Sequence, residues 1–158
     1  MLYFKALREG LSALPQAEVS ASDVSAEALR VARGNARRLA LKIEFLFGDW
    51  WAATASRAFH LVLCNPPYIA NADLHLAALA HEPALALTPG PSGMEALRAV
   101  IHGAATHLQP TGWLLLEHGF DQALPVSDLM HRCGFTQIQT RRDLAGLPRC
   151  SGGCLAGS

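Results

Sequence analysis

Two rhythms of apolar and polar positions take turns along this chain. Residues 5–15, KALREGLSALP, repeat apolar positions at helical spacing, and Pro15 stops the run. Residues 17–23, AEVSASD, predict a short strand ending in an acid. Ser25 is placed to cap the next helix, with Glu27 favourable in its first turn. That helix, residues 26–40, sets Leu29, Ala32, Ala36 and Leu39 on one face. Residues 43–47, IEFLF, predict a second strand, which Gly48, Asp49, Trp50 and Trp51 leave. Residues 60–64, HLVLC, are near-continuously apolar, the pattern of a parallel strand covered on both faces.

A long proline-bearing segment follows over residues 65–92, with one short helix expected near residues 74–80. Connections of that length inside a compact domain are usually functional or mobile. Residues 93–108 predict a helix with Leu97, Ile101, Ala104 and Ala105 in register. Residues 112–119, GWLLLEHG, predict a buried strand; residues 122–133 a helix that Gly134 can end; residues 136–143 a last strand. Residues 145–158, rich in Gly, Cys and Pro, are expected to form a poorly ordered tail, which leaves residues 1–144 as the folded domain. Strands alternating with helices predict an α/β fold with a mostly parallel sheet. In such sheets ligands bind beyond the carboxyl ends of the strands, so the residues that follow each strand carry the chemistry.

Composition narrows the classes. The chain has 158 residues, 51% of them hydrophobic, enough for a real core. Thirteen basic and thirteen acidic residues cancel, which is not the electrostatic footprint of a nucleic-acid binder. Arg30, Arg33, Arg37 and Arg38 gather on one side of a helix and read as a solvated face. No apolar run reaches the ~20 residues of a membrane span, and MLYFKALREG has no signal-peptide layout. Cys64, Cys133, Cys150 and Cys154 show no paired metal-ligand spacing. The expectation is a cytoplasmic protein with reduced cysteines, no metal and no membrane association.

Three strand ends carry candidate chemistry. Asp23 ends the first strand, where a carboxylate can accept both hydroxyls of a ribose; a turn-forming Asp is an equal reading of that residue alone. Asp49 and Trp50 end the second, where the ring could stack on a purine and the carboxylate could accept from its amino group, although a core Trp is the plainer reading. Asn65-Pro66-Pro67-Tyr68 end the third. A planar amide nitrogen is a poor nucleophile, and a site helps by holding its N–H groups. The Asn65 side-chain oxygen and the Pro66 carbonyl are two acceptors, the prolines stiffen them, and Tyr68 can cover the flat face of the substrate.

These residues resemble a class I S-adenosylmethionine-dependent methyltransferase, and in particular the HemK/PrmC family that methylates a glutamine side chain in peptide chain release factors. Besides the NPPY tetrapeptide, the likeness lies in DVSAEALRVARGNARRLAL (23–41), GDWW (48–51), EPALALTPGPSGMEALRAVIHGAATHLQPTGWLLLEHGFDQ (82–122) and RRDLAGLPRCSGG (141–153), and it covers residues 12–153. It implies a Rossmann-like domain with S-adenosylmethionine as cofactor and the glutamine of a release factor's Gly-Gly-Gln loop as substrate. Asp23 would bind the cofactor ribose, and Trp50, with Asp49 beside it, would line the adenine pocket. Asn65, Pro66, Pro67 and Tyr68 would hold the glutamine amide, with Asn65 also near the cofactor methyl. Glu82 and Pro83, and Glu117, His118 and Gly119, also match the family and are expected to be structural.

The chain departs from the family in one respect that matters physically. It holds no D-x-G-x-G-x-G, the Gly-rich loop that follows the family's first strand and approaches the methionine part of the cofactor. The expectation is a domain truncated at its N-terminus, lacking that strand and loop, with two strand edges left unpaired and weak cofactor binding at best. Gly152-Gly153-Cys154 also stand where the family ends in GGR. Two other readings stay open: an adenine N6-methyltransferase of nucleic acid, since NPPY occurs there too, and a non-catalytic fragment that binds a partner through its exposed sheet edge.

Overall fold

The computed structural model describes residues 16–69 and 90–157. Two expected helices, over residues 5–15 and near 74–80, and the pair Glu82–Pro83 lie outside the described residues. The chain divides into two compact units, Met1–Ala55 and Ser56–Ser158.

In the first unit, strand β1 (Ser20–Asp23) runs parallel to β2 (Glu44–Phe47), with Asp23 opposite Phe47. Helix α1 (Ala26–Arg38) joins them. It begins as its sequence requires: the Ser25 Oγ accepts from the Ala28 N–H at 3.1 Å, and Glu27 lies in the first turn. Leu29 and Ala36 are buried, with Ala32 and Leu39 partly so. Three of the arginines of α1 meet local partners: Arg30 pairs with Glu27, Arg38 with the Asn35 side chain, and Arg33 lies 5.7 Å from the centre of the Phe45 ring. A short 3-10 helix, Trp50–Ala53, follows β2.

The second unit has a four-stranded sheet in the order β3 (Phe59–Cys64), β4 (Leu108–Glu117), β6 (Pro148–Leu155), β5 (Phe135–Arg142). β3 and β4 are parallel, and β6 runs antiparallel to both its neighbours. Helices α2 (Glu95–His107) and α3 (Ala123–Arg132) pack on the sheet and on each other. The core is built from Leu97, Val100, Ile101 and Ala104 of α2, Leu114 and Leu116 of β4, and Val126, Met130 and Phe135, none more than 2% exposed. Ala105, expected on the inner face of α2, is exposed, because it lies one residue past Ala104 and 100° around the helix. Gly134, at φ +85°, ends α3, and its N–H donates to the His131 carbonyl.

Two expectations are corrected. The segment 145–158 is not a loose tail. Pro148–Leu155 is β6, between β4 and β5, with Ser151, Gly152, Gly153 and Cys154 buried. Its glycines are there because neighbours fill the space. A Cβ on Gly152 would meet the Leu115 side chain and the Leu114 carbonyl, and one on Gly153 would sit 3.0 Å from Ile138 and 3.1 Å from Met130. Composition alone made a central strand look like a poorly ordered tail.

The second correction concerns β3. Leu61 and Leu63 are about half exposed, 52% and 48%, while Val62 and Cys64 turn inward beside buried Leu114 and Leu116. Within this unit α2 and α3 share one face of the sheet, so only alternate residues of β3 are covered. Among the described residues β1 pairs only with β2, and β3 pairs only with β4.

Candidate active site

In the first unit the two candidate groups come together at the carboxyl end of the β1–β2 pair. The Gly48 N–H donates to the Asp23 carbonyl at 3.2 Å, which brings the start of the GDWW turn against the end of β1. The Asp23 side chain takes the turn-forming role weighed for it: its Oδ1 accepts from the Ser25 N–H at 2.7 Å. A carboxylate has about four acceptor positions, so this bond leaves capacity for ligand hydroxyls at an exposed position. Asp49 is exposed and Trp50 half-buried. Trp50 has φ +40°, a left-handed conformation that costs an aromatic residue about 1–3 kcal/mol. The turn is held by the Ala52 N–H on the Asp49 carbonyl at 3.0 Å and by Gly48, whose own φ is +152°. Strained non-glycine backbone of this kind concentrates at ligand sites.

In the second unit Asn65, Pro66, Pro67 and Tyr68 leave the carboxyl end of β3. Asn65 is exposed, Pro66 buried, and Pro67 and Tyr68 half-buried. Two side chains from the end of β4 and the start of α3 hold this segment. The Tyr68 hydroxyl donates to Glu117 Oε1 at 3.1 Å, and Gln122 Nε2 donates to the Tyr68 carbonyl at 3.0 Å. Burial first, and then the Glu117 carboxylate, push the Tyr68 phenol above its ordinary range, with Arg149 opposing, so the hydroxyl stays a donor at neutral pH. Burial pushes the Cys64 thiol, one residue before Asn65, up to about 12, so it is not a nucleophile. Asn65 is thus the polar group presented at the end of this strand, on a backbone stiffened by two prolines.

Behind Glu117 a polar chain runs from buried His118 and Ser151 to exposed Thr140. His118 Nδ1 lies 2.8 Å from the Gly119 carbonyl, which can only accept, so Nδ1 carries the proton. Nε2 then accepts from Ser151 Oγ at 2.8 Å, and Ser151 accepts in turn from Thr140 Oγ1 at 2.8 Å. Burial pushes the His118 pKa down, in keeping with a neutral ring. Arg149 donates to the His118 carbonyl and to Asp143 Oδ2, both at 3.3 Å. Cys150 and Cys154 stand four residues apart on β6, about 13 Å at the usual strand rise, too far to share one metal ion.

Sequence reasoning offered Asn65–Tyr68, Asp23 and Asp49–Trp50 as candidates, and it treated Glu117 as structural. It missed Gln122, whose only signal was a polar residue at the head of a helix.

Residues 9–141 match the methyltransferase small domain family. Among curated proteins, the release factor glutamine methyltransferase of Bordetella pertussis is 47% identical over 144 residues, 89% of this chain and 53% of that protein. Those of Coxiella burnetii and Burkholderia pseudomallei are 44% and 45% identical, covering 85% and 90% of this chain and 49% and 53% of theirs. The chain therefore spans about half the length of the curated relatives it matches. Among solved structures, a methyltransferase from Pyrococcus furiosus aligns over 89% of this chain and 64% of its own, with TM-score 0.65 and 18% identity. TrmN from Thermus thermophilus aligns over 94% and 40%, with TM-score 0.62 and 21% identity. These likenesses show the Rossmann-like methyltransferase fold. With the family match over residues 9–141, they establish that the chain belongs to the methyltransferase small domain family, as a relative of the release factor glutamine methyltransferases.

Proposed function

We propose that this domain methylates the side-chain amide of a protein glutamine, that of the Gly-Gly-Gln loop of a peptide chain release factor, with S-adenosylmethionine as methyl donor. The observation that carries the reading is the Asn65–Tyr68 segment, mounted on the end of β3 and pinned by Glu117 and Gln122. The names of the relatives support the substrate. On this reading the protein works in the cytoplasm with a release factor as its partner. Among the described residues no helix is long and apolar enough to cross a membrane.

The residues fit this chemistry. Asn65 Oδ1 and the Pro66 carbonyl are neutral acceptors for the two amide N–H groups, and they aim the nitrogen lone pair without an added charge. The Tyr68 ring can lie over the amide plane. Asp23 suits two ribose hydroxyls, and Trp50, with Asp49 beside it, suits an adenine ring; both sit at the carboxyl end of their own strand pair. When bound, S-adenosylmethionine would supply an electrophilic methyl on a positively charged sulfur. A carboxylate at position 65 would hold that positive charge in the ground state, whereas the neutral Asn65 would not. The amide proton departs late or after transfer, and no side chain is assigned to remove it.

The test is label transfer from S-adenosylmethionine to a release factor by the 158-residue chain. The assay is run at millimolar cofactor because the sequence holds no Gly-rich loop. Label is expected on the release factor, and lost when its loop glutamine is replaced by alanine or when Asn65→Ala is made here. Label on adenine of added DNA or RNA instead would overturn the substrate. No label on either would favour a non-catalytic, partner-binding role.

A further inference from the structure

We propose that Gln122 is a positioning residue for the loop after β3, locking the Tyr68 carbonyl, and through it the Asn65 and Pro66 acceptors, to the end of β4. The lock is read from geometry alone; its catalytic consequence rests on the function proposed above.

Gln122 is 9% exposed at the head of α3. Both donor directions of its amide and its oxygen are taken, each by backbone. Nε2 donates to the Tyr68 carbonyl at 3.0 Å and toward the Gly93 carbonyl at 3.4 Å, and Oε1 accepts from the Gly119 N–H at 2.8 Å. One side chain thereby ties together the loop after β3, the turn that opens α2 and the connection from β4 to α3. Each of these is irregular backbone that no strand or helix ladder satisfies. Gly93 has φ +72°, a turn that glycine tolerates and the Gln122 contact helps to hold.

The consequence for Asn65 follows from the prolines. Between the end of β3 and Tyr68, two φ angles are fixed near −65° by the pyrrolidine rings, and the residue before each proline is restricted as well. A segment with so few free torsions is set by its two ends. β3 sets one, and Gln122 sets the other at the Tyr68 carbonyl. Other side chains fail in this place. A glutamate would turn a carboxylate oxygen toward two carbonyls, an asparagine is one carbon shorter, and a methionine donates nothing.

The test is amide hydrogen exchange on the 158-residue chain beside Gln122→Met and Gln122→Glu. In both variants exchange at the Asn65, Tyr68 and Ile69 amides, the ones this stretch carries, is expected to quicken about tenfold or more, with β5 unchanged. The Gly119 amide should stay protected in Gln122→Glu, which keeps an acceptor oxygen, and open in Gln122→Met. Unchanged exchange at 65–69, or an increase spread evenly over β4 and β5, would overturn the lock. In release factor methylation, kcat should fall about tenfold or more while KM for the release factor moves less than about threefold. Gln122→Glu should recover rate as pH falls, because a protonated carboxyl again donates to the Tyr68 carbonyl. A kcat equal to that of the unsubstituted chain, with residues 65–69 opened, would overturn the catalytic role. Silence of the unsubstituted chain would count against the proposed function, and the exchange result would still decide the lock.

Discussion

The Tyr68 hydroxyl donates to the Glu117 carboxylate across 3.1 Å, joining the loop after β3 to the last residue of β4. Burial and then this carboxylate raise the phenol above its ordinary value of 10.0. Glu117→Gln removes the charge and keeps an acceptor oxygen. The Tyr68 midpoint is therefore expected to fall but to stay above the ordinary value, because burial remains. Tyrosinate absorbance against pH measures it, with Tyr3→Phe as background so that one phenol reports. A midpoint that Glu117→Gln leaves in place would show that the carboxylate has no hold on Tyr68.

Asn65 is expected to be the most sensitive position of the loop. Asn65→Ala should cut methyl transfer by about a hundredfold, the usual cost of losing one aimed polar group in a site. Asn65→Asp should bind S-adenosylmethionine at least as tightly and still turn over slowly, since a carboxylate near the sulfonium stabilises the ground state. Calorimetry and initial rates separate the two effects. Weaker binding by Asn65→Asp would place residue 65 away from the sulfur.

His118 makes stability depend on pH in a definite direction. Its folded-state pKa lies below the ordinary 6.5 because burial disfavours the charged ring. The unfolded chain therefore binds the proton first as pH falls. The stabilisation is complete above the ordinary value and is lost as pH drops through it toward the folded value. The thermal midpoint should decline between about pH 7 and pH 5, and decline less steeply in His118→Gln, which can still donate to Gly119 and accept from Ser151. Parallel curves for the two proteins would assign the decline to other groups.

Gly152→Ala and Gly153→Ala should each destabilise the chain by about 1–3 kcal/mol, since each new methyl meets a packed neighbour of β6. Gly34→Ala should do the opposite. It lies within α1 with open space around its would-be Cβ, and alanine there is worth about 0.5–1 kcal/mol. Denaturant unfolding of the three variants checks the signs. A neutral Gly152→Ala would mean that β6 does not sit between β4 and β5.

Much of this protein was legible in its sequence. Elements with a strong rhythm and a cap announced themselves to within a few residues: α1 behind Ser25, α3 ahead of Gly134, and the apolar strands β3 and β4. Periodicity and capping are local physics, written in neighbouring residues. The NPPY segment was legible for the same reason, because two prolines and an asparagine after an apolar strand restrict the backbone wherever they occur.

What was not legible depends on residues far apart in the chain. β6 looked like a loose tail because Gly152 and Gly153 carry no pattern of their own; their meaning lies in Leu115, Ile138 and Met130, which fill the room they leave. Gln122 looked like one polar residue among many until the fold brought the Tyr68, Gly93 and Gly119 backbones to its amide. The sequence by itself determined the succession of strands and helices from β1 to β5 among the described residues, and the chemistry offered at the strand ends, because both follow from local stereochemistry. Only the tertiary structure decided which glycines are packed and which side chains pin the loop. Those answers depend on which groups meet in space, and the order of the residues does not state it.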